Sequence, residues 1–208
     1  MSSPLALVRP DLKDFTPYEH AVFDPGYARL HANESQWRHA FDQTAGGLNV
    51  YPDPQPTSLI ARLAQLYGVS GDRLLLTRGS DDGIDVLCRA FCRAGLDRVV
   101  VCPPTFGMYA VSARIQGARV DAVPLSDTGD FALDPEAVVG AVGEHTRLVF
   151  LCSPNNPTGN AIEPETIAQI CIALKNRAVI VVDEAYGEFS RVPSALTLLG
   201  EQGNLVVL

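Results

Sequence analysis

Polar residues follow apolar runs at several places in this sequence, and their types suit the binding of a small charged molecule. Asp183 closes the apolar run AVIVV, and the amide-rich motif CSPNNPTGN follows the run Leu148–Leu151. A carboxylate at the end of a buried strand is partly desolvated, so it requires a cation or strong hydrogen-bond donors. The sequence therefore predicts that Asp183 faces either an arginine of this chain or a cationic group of a ligand.

A second polar motif, formed by Gly79, Ser80 and Asp81, opens a predicted helix directly after a predicted strand. Free N–H groups and the dipole at a helix N-terminus favour an anion such as phosphate. Alternatively, Ser80 or Asp81 only caps the helix by accepting a backbone hydrogen bond. The sequence is compatible with both interpretations.

Three common nucleotide-binding and hydrolase motifs are missing from the sequence. The segment VVDE is similar to the acidic strand of nucleoside triphosphatases, but these enzymes also need GxxxxGK[ST], which is absent. GSDDG lacks the GxSxG spacing of a hydrolase nucleophile, and no GxGxxG follows a strand. The sequence therefore argues against a nucleotidase, a serine hydrolase and a dinucleotide-binding enzyme.

Apolar runs alternate with amphipathic segments from residue 57 onward, as strands alternate with helices. The predicted helices cover residues 57–68, 79–95, 106–115, 135–142 and 164–176, and the predicted strands cover residues 73–77, 98–102, 119–125, 147–152, 178–183 and 205–208. We therefore predict an α/β fold with a mostly parallel central sheet and helices on both faces. The preceding proline-rich segment is predicted to be irregular, with one short helix near residues 35–41.

Open parallel sheets bind ligands at the carboxyl ends of their strands, where the polar motifs of this chain are predicted to lie. Pyridoxal 5'-phosphate matches the chemistry of these motifs. Its phosphate would lie at residues 79–81 and its ring against Phe106. Its phenolic oxygen would lie near Asn156, and its pyridine nitrogen near Asp183.

Several segments of the chain resemble motifs of one enzyme family in the same order. RGSDDGIDVLCRAF, CPPTFGMY, CSPNNPTGN and VVDEAYGEF resemble motifs of fold-type I aminotransferases. TPYEH, LHANES and VYPDPQP are similar to N-terminal segments of the histidinol-phosphate aminotransferase family. NNPTG alone marks only the broad superfamily, whereas the ordered set spans nearly the whole chain and is more specific. The resemblance implies an enzyme that exchanges an amino group between histidinol phosphate and 2-oxoglutarate.

The resemblance also implies which residues bind the cofactor phosphate and ring. Ser80 and Asp81 would lie at the phosphate, and Gly79 would allow a close turn. Phe106 would stack on the ring, a position where the family often has tyrosine. Tyr51 would reach the phosphate of the neighbouring subunit's cofactor, which implies a homodimer.

The remaining roles implied by the resemblance concern proton transfer and the substrate. Asn156 and Tyr186 would hydrogen-bond the phenolic oxygen of the cofactor. Asp183 would keep the ring nitrogen protonated, so that the ring accepts electrons from the substrate. Tyr18 and Asn33 would help to enclose the small-molecule substrate.

The chemistry also needs a lysine, which the family places shortly after a strand like the last apolar run of this chain. Neither Lys13 nor Lys175 is predicted to lie at the pocket. We therefore expect an amino-terminal part of an aminotransferase that lacks the cofactor lysine and is inactive by itself. Its expected division is an N-terminal arm, residues 1–56, and an incomplete large cofactor-binding domain, residues 57–208.

Composition restricts the class of protein further. The sequence is 47% hydrophobic with a net charge of −8, which argues against a general binder of nucleic acid or anionic membranes. Its purely apolar runs are too short to span a bilayer. Five cysteines without a CxxC pair, and histidines without metal-ligand spacing, predict buried reduced thiols in a cytosolic protein and no metal site.

Two alternatives fit the same motifs. A related fold-type I enzyme could act on aromatic amino acids or decarboxylate an amino-acid phosphate. A non-catalytic binding protein could also retain the fold.

Overall fold

The computed structural model describes residues 4–18, 26–30 and 32–208. The chain divides into two units, one comprising Met1–Asp14 with Thr77–Leu208 and the other comprising Phe15–Leu76. The helices are α1 (Pro10–Lys13), α2 (Thr57–Tyr67), α3 (Gly79–Phe91), α4 (Met108–Ile115), α5 (Pro135–Ala141) and α6 (Pro164–Ala173). The strands are β1 (Arg98–Val101), β2 (Arg119–Ala122), β3 (Thr146–Cys152), β4 (Val179–Asp183) and β5 (Leu205–Val207).

The first unit is built on a five-stranded sheet with the order β2-β1-β3-β4-β5, and every neighbouring pair is parallel. The central strands β3 and β4 are rich in valine, isoleucine and leucine and are buried almost throughout. Strands buried on both faces are typical of parallel sheets whose crossover helices cover them. The predicted fold class is confirmed.

Two apolar cores lie on opposite faces of the sheet, because successive strand residues point in opposite directions. On one face, Leu151 and Val182 pack with residues of α5 and α6 such as Val138 and Ile170. The other core contains the alternate strand residues Val99, Leu148, Phe150 and Val181 together with Ile84, Cys88, Tyr109 and Ala113 of α3 and α4. The helices therefore cover both faces, as the sequence predicts.

All strands of the sheet point in the same direction, so their carboxyl ends share one edge. Cys152, the last residue of β3, is the direct register partner of Asp183, the last residue of β4. This pairing brings the two polar motifs that follow these strands next to each other. The register of the sheet therefore fixes the position of the edge at which a ligand is predicted to bind.

The predicted strand over residues 73–77 is wrong. Leu74 is extended, with φ −105° and ψ 133°, but no strand lies beside this segment in the described part of the chain. The side chain of Gln55 bonds the backbone of Leu76 instead, accepting from its N–H at 2.8 Å and donating to its carbonyl at 3.0 Å. A side-chain amide satisfies the polar groups that a neighbouring strand would otherwise satisfy.

The predicted short helix near residues 35–41 is also wrong. This stretch consists of turns, and the carboxylate of Asp42 accepts hydrogen bonds from the backbone N–H groups of Thr44 at 2.9 Å and Leu48 at 2.7 Å. The Thr44 hydroxyl and these N–H groups hold the pKa of Asp42 well below its usual range. Asp side chains that bond nearby backbone favour turns over helices.

Helix α3 ends earlier than predicted, at Phe91 rather than near residue 95. The buried carboxylate of Asp97 accepts a hydrogen bond from the backbone N–H of Arg93 at 2.8 Å, and Gly95 has a φ of +74°. These contacts turn the chain into β1. Sequence analysis also missed α1, a single turn that begins with a proline at its first position.

No helix in residues 4–18, 26–30 and 32–208 has the length and apolar character needed to cross a membrane. Within the same residues, no three side chains of the metal-binding types are grouped closely enough to hold an ion. All five cysteines are buried and free. Burial raises the pKa of Cys88, Cys92, Cys102 and Cys171 to about 12, as expected for unreactive thiols.

Candidate active site

A cleft of about 280 Å³ lies where the carboxyl ends of β3 and β4 meet the start of α3. All the predicted site residues of the first unit line it. The complete lining is Arg78, Gly79, Ser80, Asp81, Phe106, Cys152, Asn156, Asp183, Ala185 and Tyr186. The fold therefore collects residues from four separate sequence motifs around one space.

Helix α3 enters the cleft through Gly79, whose φ of +76° is readily adopted only by glycine. Neither Ser80 nor Asp81 caps the helix. Instead, the carboxylate of Asp82 accepts a hydrogen bond from the backbone N–H of Arg78 at 3.1 Å. The first N–H groups of a helix have no intrahelical acceptors, so the residues in the cleft offer donors to an anion.

The two adjacent asparagines of the motif NNPTG have different environments. Asn155 is buried, and its amide donates to the Pro104 carbonyl and the Thr158 hydroxyl, both at 2.9 Å. The Thr105 hydroxyl donates to its carbonyl oxygen at 2.8 Å. Asn156 lines the cleft, and its side chain makes no hydrogen bond to the described residues. Asn155 therefore holds local structure, whereas the role of Asn156 toward a ligand stays a prediction.

Asp183 is only 3% exposed, yet no arginine or lysine of the described residues pairs with it. The Tyr109 hydroxyl donates to Oδ2 at 2.8 Å, and the backbone N–H of Ala185 donates to Oδ1 at 3.1 Å. The predicted alternative of an internal ion pair with arginine is therefore wrong within the described residues. The carboxylate therefore lies at the wall of the cleft without a positively charged side chain beside it among the described residues.

Sequence analysis missed Tyr109, a fully buried residue of α4. Its ring stacks on Phe150 with centroids 4.9 Å apart, and it meets Phe106 edge-on at 5.6 Å. Burial raises the pKa of its hydroxyl far above the usual range, and the nearby Cys152 and Asp183 add to the shift. Its spacing of three residues from Phe106 in CPPTFGMY was the signal that could have identified it.

Sequence analysis also missed two polar residues that line the cleft, Cys152 and Arg78. Burial raises the pKa of the Cys152 thiol, which donates a hydrogen bond to the Pro154 carbonyl at 3.4 Å. The guanidinium of Arg78 is almost fully exposed and pairs with Asp82 at 3.2 Å. It therefore supplies a positive charge at the rim beside the start of α3.

The other predicted residues belong to the second unit. Tyr18 is 88% exposed, Tyr51 is 66% exposed, and Asn33 has a φ of +53°. The backbone N–H of Tyr51 donates to the carboxylate of Glu34 at 2.7 Å. The roles of Tyr18, Asn33 and Tyr51 stay predictions.

Neither lysine of the sequence lines the cleft. The ammonium of Lys13 donates to the Ala6 carbonyl at 3.3 Å, and Lys175 is exposed beyond the end of α6. The cleft residues of this chain therefore offer charge, hydrogen bonds and an aromatic face, but no amine nucleophile.

The four kinds of group in the cleft suit a flat, phosphorylated and protonatable ring. Backbone donors at a helix N-terminus bind an anion, the aromatic face of Phe106 covers a ring, and the amide of Asn156 can donate to an oxygen. The unpaired charge of Asp183 favours a cationic nitrogen. The donor set therefore fits pyridoxal phosphate.

Comparison with known proteins gives one consistent result. The family described as aminotransferase class I and II matches residues 26–208. Histidinol-phosphate aminotransferase from Xanthomonas euvesicatoria pv. vesicatoria (strain 85-10) is 51% identical over 211 residues, which cover 100% of this chain and 58% of that protein. The protein of the same name from Stenotrophomonas maltophilia (strain R551-3) is 50% identical, with coverage of 98% and 57% respectively. The chain therefore spans a little over half the length of these relatives.

A solved structure gives the same result at the level of the fold. The crystal structure of histidinol-phosphate aminotransferase from Sinorhizobium meliloti, in complex with pyridoxal-5'-phosphate, matches with a TM-score of 0.69. The two sequences are 28% identical, and the match covers 86% of this chain and 50% of that one.

Proposed function

The chain belongs to the family of class I and II aminotransferases, and we propose that the whole protein is a histidinol-phosphate aminotransferase that uses pyridoxal phosphate. The observation that carries this proposal is the cleft at the carboxyl edge of the sheet, where the buried charge of Asp183 has no cationic partner among the described residues. Sequence identity of about 50% to enzymes of that name, over nearly the whole chain, supports the choice of substrate.

In this proposal the start of α3 binds the cofactor phosphate. Gly79 lets the backbone turn closely, and Ser80 and Asp81 provide N–H groups of the first helical turn. Phe106 covers one face of the ring and keeps water from it. When bound, pyridoxal phosphate supplies an electron sink for the carbanion that forms on the substrate.

The remaining cleft residues control the protons of the cofactor. Asp183 holds a proton on the ring nitrogen, because a carboxylate without an internal cation stabilises the protonated pyridine. Asn156 and Tyr186 hold the phenolic oxygen by hydrogen bonds. The catalytic residues of this chain are therefore Asp183 and Tyr186. Neither of the two lysines of this sequence is proposed as the amine nucleophile.

We further propose a cytoplasmic homodimer whose substrates are histidinol phosphate and 2-oxoglutarate. Tyr51 would contact the phosphate in the partner's site, and Tyr18 and Asn33 would enclose the substrate. The division into an N-terminal arm, residues 1–56, and a cofactor domain, residues 57–208, belongs to the same proposal. The exposed side chains of Tyr18 and Tyr51 are consistent with these roles.

A substrate comparison tests the proposal. The whole protein, saturated with pyridoxal phosphate, is supplied with 2-oxoglutarate and one amino donor, and glutamate formation is measured. We expect histidinol phosphate to give a higher kcat/KM than phenylalanine or threonine phosphate. Faster turnover of an aromatic amino acid, or release of carbon dioxide from an amino-acid phosphate, would assign the protein to a related enzyme class. Cofactor binding without turnover of any donor would support a non-catalytic protein.

A further inference from the structure

Tyr109 connects two groups that the proposed function places on the cofactor ring. Its hydroxyl donates to Oδ2 of Asp183 at 2.8 Å, and its ring meets Phe106 edge-on at 5.6 Å. On its other side the ring stacks on Phe150, with the two planes only 5° apart. Tyr109 does not itself line the cleft. It therefore lies behind both residues, held in one orientation by the core.

The hydrogen bonds of Asp183 leave room for a ligand. Each carboxylate oxygen has two acceptor positions, and in this chain Oδ1 takes one bond from Ala185 and Oδ2 one bond from Tyr109. One position on each oxygen is left over. Fixing both oxygens restricts rotation of the carboxylate about its last bond, so the remaining positions keep a constant direction.

A neutral donor suits this task better than a cation. Arginine or lysine in place of Tyr109 would neutralise Asp183 and compete with a protonated ring nitrogen. Burial raises the pKa of the Tyr109 hydroxyl, which favours the protonated form that donates the hydrogen bond. The contrast with Asp97 supports this distinction, because that buried carboxylate pairs with Arg93 at 2.7 Å and with Arg147 at 3.2 Å.

We propose that Tyr109 is a positioning residue, which aims the Asp183 carboxylate at the ring nitrogen and thereby makes the site selective for a cofactor that carries a protonatable nitrogen. This inference rests on the proposed function. It predicts a selectivity that depends on a hydroxyl outside the cleft.

Tyr109→Phe removes the hydroxyl and retains the ring that packs on Phe150 and Phe106. The test uses the whole protein and two ligands, pyridoxal phosphate and its analogue with a C–H group in place of the ring nitrogen. Competition dialysis without substrate measures the ratio of their affinities. A general loss of packing would weaken both ligands equally and leave this ratio unchanged. Tyr67→Phe, a half-exposed tyrosine at the end of α2, is the matched control.

We expect the unsubstituted protein and the Tyr67→Phe control to prefer the natural cofactor about 10- to 100-fold, the effect of one charge-assisted hydrogen bond. Tyr109→Phe should lower this preference at least about fivefold while the analogue binds as before. An unchanged preference in Tyr109→Phe would overturn the positioning role and leave the proposed function intact. If the unsubstituted protein binds neither ligand, or does not prefer the natural one, the proposed function and the inference both fail.

Discussion

At the scale of single residues, the buried carboxylates of Asp97 and Asp183 differ in the charge of their partners. Asp97 pairs with two arginines, whereas among the described residues the Asp183 carboxylate accepts bonds only from a phenol and a backbone N–H. Burying an unpaired charge is costly, so such a group is retained where a ligand completes its environment. The unusual partners of Asp183 thus support its proposed role as a site residue.

Asp183→Asn should leave the fold nearly intact and lower kcat of the whole protein by about 10²–10³-fold. An amide has nearly the same shape, but it does not stabilise a protonated ring nitrogen as a carboxylate does. Steady-state turnover at saturating cofactor measures the effect. Asp127→Asn makes the same chemical change on an exposed loop and should keep full activity. Turnover of Asp183→Asn within threefold of the control would contradict the assigned role.

At the scale of elements, the site depends on how α3 begins. Gly79 at its start and Gly68 at the end of α2 both have positive φ, +76° and +66°. A Cβ atom at either position would meet no atom within 4 Å. The cost of a side chain at both positions therefore comes from the backbone conformation rather than from a clash. Substitution of Gly68 is therefore a matched control for substitution of Gly79.

Gly79→Ala and Gly68→Ala should each lower the free energy of unfolding by about 1–2 kcal/mol, because alanine disfavours the left-handed conformation. Only Gly79→Ala should also weaken cofactor binding, by about 2- to 30-fold, since it disturbs the helix N-terminus proposed to bind the phosphate. Urea denaturation and equilibrium dialysis measure the two effects. Equal cofactor affinity in both variants would contradict the proposal that the start of α3 binds the cofactor phosphate.

The turn between α3 and β1 gives a prediction about pH. Burial alone would raise the pKa of Asp97, but hydrogen bonds from Arg93 and the charge of Arg147 outweigh burial and lower it. A folded-state pKa below the unfolded value of about 3.9 contributes stability above that pH, and the contribution is lost as the pH falls through the folded pKa. Asp97 should therefore contribute to acid denaturation.

Asp97→Asn should lower the free energy of unfolding at neutral pH. As the pH falls from about 5 to about 3, the free energy of unfolding of this variant should decrease less steeply than that of the original protein. The amide cannot titrate, so the variant loses one source of acid sensitivity. Urea denaturation at several pH values gives both quantities. Asp127→Asn serves as the control again and should keep the original slope. A slope for Asp97→Asn equal to that of the control would show that the pair does not titrate in this range.

At the scale of the whole molecule, the second unit exposes many large apolar and aromatic side chains. These residues are Tyr18, Tyr27, Leu30, Trp37, Phe41, Leu48 and Tyr51, each at least 66% exposed. Exposed apolar surface of this kind favours contact with a partner. It supports the proposed homodimer, in which Tyr51 serves the site of the neighbouring subunit.

Mixed dimers of Tyr51→Phe and Asp183→Asn subunits test this sharing. Tyr51→Phe alone should weaken cofactor binding by about 1.5–3 kcal/mol, the value of a hydrogen bond to a charged group. If Tyr51 acts in the partner's site, one site of the mixed dimer contains both changes and the other contains neither. At a cofactor concentration that leaves the Tyr51→Phe homodimer mostly empty, about half the original activity should remain. Activity close to zero in confirmed mixed dimers would place Tyr51 in its own subunit's site.

The sequence by itself determined the sheet and most of the cleft. Apolar runs such as that of β4 and the periodic pattern of α3 are local signals, and each ends in a polar motif that can be read directly. The direction of parallel strands then places Asn156 and Asp183 at the same edge without further information. Phe106 was identified for the same reason. Gly79, Ser80 and Asp81 were identified from the start of α3, because the strand predicted before them does not form.

Only the tertiary structure decided which groups satisfy the buried polar atoms. An arginine of this chain was one expected partner of Asp183, but the side chain that donates to it is Tyr109, which lies 74 positions earlier in the chain. The segment 73–77 has the composition of a strand, yet Gln55 rather than a strand bonds its backbone. The physical reason is the same in both cases: a buried donor or acceptor needs a partner in space, and local composition does not specify a partner distant in sequence.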